Sequence, residues 1–377
     1  MSTIFELFGH GLNDNSLEAQ QDRANAWCPF MALPCDGGGN RYQSNINLKE
    51  HSELQAIYPN MKELTAGVCS LRVRADESPW IVCPRRLLVL GREAIGTRKY
   101  QSHLERQALS LLSYPSGTKL GVWTEVKVEY EGERDGIDKS FDYTFDYILM
   151  PVSSVNFLDL ASKFIESEKL TNKRSLKSFQ DLLRRVGYIL NAEDMIEDFP
   201  IGSPSIIEIM TSSTSGGNKK KRTTIPQSFE DAILGKPHNG PGINYRQVWA
   251  RMVSQLLVKS EVAIGWGGRC VWVVQDVLVD YISASTGINI RRFVSTHTDD
   301  VNMLSFSYDL SDRSDSQNII DLPHVKLYSG AIAPEEAFAE GTNSFLDIVR
   351  SPIQPPLDKL LQVLINKGPA HNYVVMP

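Results

Sequence analysis

No run in this 377-residue chain approaches the roughly 18 consecutive apolar residues of a membrane-spanning helix, so no membrane association of that kind is expected. The first residues, MSTIFELFGHGLNDN, lack the basic-then-apolar layout of an export signal, and a cytoplasmic protein is expected. Positive charge is also in short supply. Lys and Arg number 39 against 45 Asp and Glu, a formal net charge of -6, which argues against a non-specific nucleic-acid coat but leaves room for a basic cleft. Five cysteines are an odd number in a chain without an export signal, so disulfides are not expected and metal binding is the first alternative. What remains is ordinary: 42% hydrophobic and 22% charged residues describe a globular protein, long enough for two or three domains with a real core.

The chain is organised around 204–222, PSIIEIMTSSTSGGNKKKR. Period-two alternation puts Glu208 and Met210 on one face of a short apolar strand and Ile207 and Ile209 on the other. A carboxylate at the end of a buried strand costs several kcal/mol unless it is paired or binds a metal. Gly216 and Gly217 then turn the chain, and Lys219, Lys220, Lys221 and Arg222 follow as four cations suited to a polyanion. An acid for a metal beside cations for phosphates fits phosphodiester hydrolysis. A buried structural ion pair beside a solvated basic loop is the plainer reading, of about equal weight.

Four cysteines fall within residues 1–95: Cys28, Cys35, Cys69 and Cys83, separated by six, thirty-three and thirteen residues. Two precede proline and one precedes Gly37–Gly39, as in the turns of a zinc or single-iron knuckle, although the spacing matches no CxxC ribbon. Scattered core thiols are the alternative. Cys270, in RCVWVVQD, reads as a core strand residue. Arg85, Arg86, Arg92 and Arg98 follow the fourth cysteine and could face DNA or plain solvent.

Further on, 99–112 has the apolar spacing of a helix. The segments 121–130 and 140–150 alternate with period two on either side of a turn, as an antiparallel hairpin does. Asp142, Thr144 and Asp146 share one face of its second strand, which fits an exposed sheet edge. The charged, helical block 156–199 reads as an insertion outside the core. The strongest helix covers 243–263, where Gln247, Arg251, Gln255 and Lys259 recur every four residues beside an apolar stripe. Beyond 280 the pattern weakens, with strand-like pieces near Arg291 to Phe293, amphipathic helices at 334–350 and 355–367, and His297, Thr298 and Asp299 in a loop.

The order helix, three strands, helix, strand resembles the core of PD-(D/E)xK nucleases, and more specifically the NotI-type restriction endonucleases. The resemblance rests on CPF at Cys28, GVC at Cys69, the segment Trp80 to Pro84, FDY at Phe145 to Tyr147, EI.T at Glu208 to Thr211, and the helix carrying Arg251, Gln255 and Lys259. It implies an α/β (α+β) fold: a mixed central sheet of restriction-endonuclease-like core over 96–284, an N-terminal four-cysteine metal knuckle over 1–95, and a C-terminal dimerisation or DNA-recognition region over 285–377. It further implies a structural iron (or zinc) on Cys28, Cys35, Cys69 and Cys83. One or two Mg2+ ions would sit on Asp146, Glu208 and the Ile209 carbonyl, with Gln255 orienting phosphate or water and Lys259 or Arg251 touching the DNA backbone. Met210 departs from the pattern, standing where the superfamily has lysine and this branch glutamine. A donor from Lys219 or Lys259 is the favoured replacement.

The resulting expectation is a Mg-dependent type II restriction endonuclease, a prokaryotic homodimer cutting double-stranded DNA at a specific site. A DNA-binding protein with a metal knuckle and weak or no cleavage is the second reading, and a repair or modification-dependent nuclease the third.

Overall fold

The computed structural model of the chain describes residues 2–38, 45–91, 102–134, 137–165, 172–287, 289–292, 300–308, 327–332, 354–370 and 372–377. Arg92, Arg98, His297, Thr298, Asp299 and the segment 334–350 lie outside the described residues. The chain is mixed α/β and divides into two units, one built from Met1–Ala108, Ile209–Ser254 and Trp272–Glu340, the other from Leu109–Glu208, Gln255–Val271 and Gly341–Pro377.

The second unit is built on the hairpin. Valine and aromatic residues at alternate positions form the strands Lys119–Arg134 and Ile137–Asn156, which pair antiparallel from Arg134↔Ile137 to Pro151↔Leu120. The strand Ser205–Met210 joins the hairpin's second strand through Tyr147↔Ile207, Ile148↔Ile206 and Leu149↔Ser205. On the other edge Asn372–Val375 pairs with the first strand. The chain reaches the acid-bearing strand through a tight crossing in which the Ile206 amide donates to the Arg269 carbonyl at 2.8 Å. Gly268 is required there, since a Cβ would stand 1.6 Å from the Pro204 carbonyl oxygen. The block expected as an outside insertion has a core of its own: helices Phe157–Phe164 and Lys173–Arg185 and the strand Met195–Pro200 bury Phe157, Leu160, Leu183, Ile196 and Phe199 together with Ile365.

In the first unit a four-stranded antiparallel sheet orders His10–Gly11, Thr3–Leu7, Val68–Arg72 and Trp80–Ile81. Its apolar face packs with Leu48, Leu54, Tyr58, Ile225 and Phe229. The same sheet buries an acid. Glu6 accepts from Arg86 Nε at 3.0 Å, Ser70 Oγ at 2.8 Å and Tyr308 OH at 2.6 Å, and the Arg86 guanidinium lies 5.2 Å from the ring centroids of Phe30 and Tyr308. Arg86, one of the arginines weighed as a DNA contact, is therefore a core group. Among the described residues no helix is long and apolar enough to cross a membrane.

The expected fold needs correction at its N-terminal end. The four thiols do pack in one cluster with Phe30, Met31 and Val89, but among the described residues no group of three or more His, Cys, Asp or Glu side chains is placed to hold a metal ion. The physical reason is burial in apolar surroundings. It pushes the Cys28 thiol up to about 12 and the Cys35 and Cys69 thiols well above their usual range, with a hydrogen bond to Cys83 contributing most at Cys69. Cys83 alone is displaced downward, by that same bond from Cys69. The four-cysteine knuckle is replaced by an apolar thiol cluster, and the restriction-endonuclease-like core inferred along with it is not supported beyond a mixed α/β arrangement.

Two expected outcomes test this account. Glu6→Ala leaves the Arg86 guanidinium buried without its carboxylate and should cost about 3–5 kcal/mol in urea unfolding. A cost near that of an exposed site would show that the network is not load-sharing. Cys28→Ala and Cys69→Ala, as losses of small core groups, should each cost about 1–2 kcal/mol and leave a folded chain by circular dichroism. Loss of folding in either variant would contradict a merely space-filling role.

Candidate functional site

The acid flagged in the sequence lies at the centre of a small polar cluster in the second unit. Glu208 is 2% and Lys259 3% exposed. Lys259 Nζ donates to Glu208 Oε2 at 2.5 Å, and the Asp146 amide donates to Glu208 Oε1 at 3.2 Å. The antiparallel register explains the meeting. One step beyond Tyr147↔Ile207, Asp146 and Glu208 stand opposite each other, and opposed residues share a face. Lys259 arrives from the helix Tyr245–Gly265, its Nζ 5.6 Å from the Phe145 ring centroid. That ring is itself held 5.7 Å from Trp266, whose Nε1 donates to the Pro355 carbonyl at 2.7 Å.

Burial and the Asp146 charge push the Glu208 carboxyl up to about 8, against the downward pull of Lys259 and the Asp146 amide. The geometry, with an ammonium at hydrogen-bond distance, pulls the other way. Desolvation prevails because both partners are almost wholly out of water, where removing a second ion from solvent offsets much of the attraction. Asp146, half-buried, is the member of the cluster that reaches solvent.

Of the remaining residues expected to act, Gln255 lies half-buried one turn before Lys259. Arg251 is on the same helix, its side chain outside the described set. Lys219, Lys220 and Lys221 are exposed on a turn, preceded by Gly216 at φ 76° and Gly217 at φ 72°. Arg222 is committed elsewhere, bonding Glu230 at 2.8 Å and Asp231 at 2.7 Å. Met210 is buried and supplies no donor. Sequence reasoning missed Glu125, which the hairpin register places across from Asp146, between Val126↔Phe145 and Thr124↔Tyr147, in the left-handed conformation at φ 49°. A strained non-glycine residue inside a strand leaves no signature in the sequence.

The magnesium expected on Asp146, Glu208 and the Ile209 carbonyl does not fit these residues. Both Glu208 oxygens are already taken by Lys259 and the Asp146 amide. The cation beside the carboxylate is an ammonium, and among the described residues no cluster of three metal-ligating side chains exists. The iron or zinc expected on Cys28, Cys35, Cys69 and Cys83 fails on the same finding. No protein-family model matches the chain, and no curated protein matches it. The resemblance to NotI-type restriction endonucleases is withdrawn accordingly, since what it implied was a four-cysteine metal site and a metal-holding acid pair.

The raised Glu208 value carries a sign that stability measurements can read. The folded chain keeps a proton that the unfolded chain, with the ordinary value of 4.5, releases. The stabilisation is fully present below about pH 4.5 and is lost as pH rises toward about 8. Relative to Glu208→Gln, the wild-type protein should therefore lose stability between those limits by on the order of 1 kcal/mol per pH unit, read from urea midpoints. A relative gain over the same range would mean that Lys259 keeps Glu208 ionised.

Proposed function

We propose that this chain hydrolyses phosphodiester bonds in double-stranded DNA in a site-specific manner, with Asp146 as the group that meets the substrate. The observation that carries the reading is the juxtaposition of a half-buried carboxylate, Asp146, with the buried pair of Lys259 and Glu208. Lys259 and Glu208 stand directly behind Asp146, with Glu208 accepting from the Asp146 amide and from Lys259. In this reading Asp146 takes a proton from water as the water oxygen bonds to phosphorus. The bond to the departing oxygen breaks, and the same proton returns to that oxygen. Lys259 and Glu208 act as positioning residues, Glu208 holding the Asp146 amide and Lys259 holding Glu208. The exposed Lys219, Lys220 and Lys221 favour a polyanionic substrate. A homodimer is proposed with it, since a twofold protein reads a symmetric duplex site most simply.

One observation favours a second reading, DNA binding without cleavage. Met210 offers no donor, and both Glu208 oxygens are satisfied internally, as in a structural ion pair.

Supercoiled plasmid incubated with the full chain across pH, with and without chelator, separates the two. Discrete fragments are expected, with Asp146→Asn slowing their appearance by about 100-fold or more while leaving duplex binding intact. Equal rates from wild type and Asp146→Asn would remove Asp146 from the reaction, and binding without any cutting would establish the second reading.

A further inference from the structure

The helix Lys173–Arg185 carries a row of cations that neither the fold nor the Asp146 cluster uses. Arg174, Lys177, Arg184 and Arg185 are exposed along it, with Asp181 the one acid among them. Steps of three, four and three residues place Arg174, Lys177, Asp181 and Arg184 on one stripe, and Arg185 lies beside its end. Among the described residues these four cations make no ion pair and no side-chain hydrogen bond. Two exposed lysines elsewhere in the same unit find acids, Lys119 bonding Asp198 at 2.7 Å and Lys127 reaching Asp142 at 3.3 Å, whereas Lys163 and Lys367 do not among the described residues.

The helix dipole accounts for only part of the row. Arg184 and Arg185 in the last turn complement the partial negative charge there. Arg174 sits in the first turn, where a cation opposes the dipole and no acid offsets it. A helix whose cations at both ends lack partners among the described residues, in a chain of net charge -6, is poorly explained by its own electrostatics. It is well explained by an extended anion. From Arg174 to Arg185 the helix rises about 16 Å, the axial length of roughly five phosphates on one strand of a duplex.

We infer that the solvent face of this helix is a contact surface for the phosphate backbone of duplex DNA. The inference rests on the reading of this chain as a protein of double-stranded DNA and names where part of the backbone would lie. A lipid surface fits less well. A membrane-lying helix needs a free apolar face, and here Phe179 and Leu183 pack into the core, Phe179 against Phe157 at 6.0 Å and Phe164 at 6.2 Å. Ile189, exposed beyond the helix end, is a single side chain and not a face.

The test uses the full chain, a fluorescently labelled duplex and anisotropy titrations at several salt concentrations. Each phosphate contact adds about 0.9 to the slope of log K against log salt. The pair Arg184→Gln with Arg185→Gln should therefore flatten that slope by about 1.8. The pair Arg184→Lys with Arg185→Lys should restore it, and Arg74→Gln should leave it unchanged. Circular dichroism confirms that the variants fold. Wild-type binding with the same slope in the glutamine variant would overturn this inference and leave the DNA reading standing. A wild-type chain that binds no duplex would overturn both. Binding to phosphatidylserine vesicles that falls in the glutamine variant, with duplex binding unchanged, would also overturn it, assigning the row to a lipid surface.

Discussion

A lysine and a glutamate removed from water on adjoining elements set the terms for the second unit. Lys259 and Glu208 are each almost fully buried, and either one alone would be an unpaired ion in an apolar interior. The pair therefore fixes the end of the helix Tyr245–Gly265 against the strand Ser205–Met210. The hairpin register, with Ile207 opposite Tyr147, then brings the Asp146 amide to the second oxygen of the same carboxylate. Three elements far apart in the chain converge on one side chain because that side chain has two acceptors and no water to fill them.

Glu6 in the first unit meets the same constraint and resolves it differently. Its carboxylate takes donors from Arg86, Ser70 and Tyr308, and Arg86 is flanked by the rings of Phe30 and Tyr308. Every member is buried, so the network is closed and serves stability. The Glu208 cluster is open on one side, since Asp146 remains half-buried. A closed network has nothing left to offer a substrate, whereas one with a half-buried member meets solvent. That difference, more than the presence of buried acids, separates a structural hub from a candidate site.

What was legible in the sequence follows from which forces are local. The hairpin could be read because alternation is a local pattern, and Glu208 stood out because an acid inside SIIEIM needs a partner. The role of Lys259 was half visible. Residues four apart on a helix advance by about 40° at each step, so the row from exposed Gln247 through half-buried Gln255 to buried Lys259 winds from solvent into the core. Periodicity alone does not say where such a row turns inward. The cysteines misled because proline and glycine flank both metal knuckles and ordinary tight turns, and only packing with Phe30, Met31 and Val89 distinguishes the two. Arg222 misled in the same way. A cation in a basic run looks available until Glu230 and Asp231, on the following helix, fold back against it.

The backbone at Glu125 adds a consideration that no side-chain pattern contains. The ladder between the hairpin strands is regular on both sides of it, Phe145 opposite Val126 and Tyr147 opposite Thr124, yet Glu125 itself adopts φ 49°. For a residue with a Cβ this conformation costs about 1–2 kcal/mol, and it persists only where neighbouring contacts impose it. The strain falls opposite Asp146, whose amide is bonded on its other side by a carboxylate oxygen of Glu208. One strand position therefore combines a distorted neighbour, a side-chain acceptor for its amide and a buried ammonium on the far oxygen of that same acceptor. Strain of this kind is retained where it holds a group in a particular orientation, which supports reading Asp146 as the working residue of the cluster.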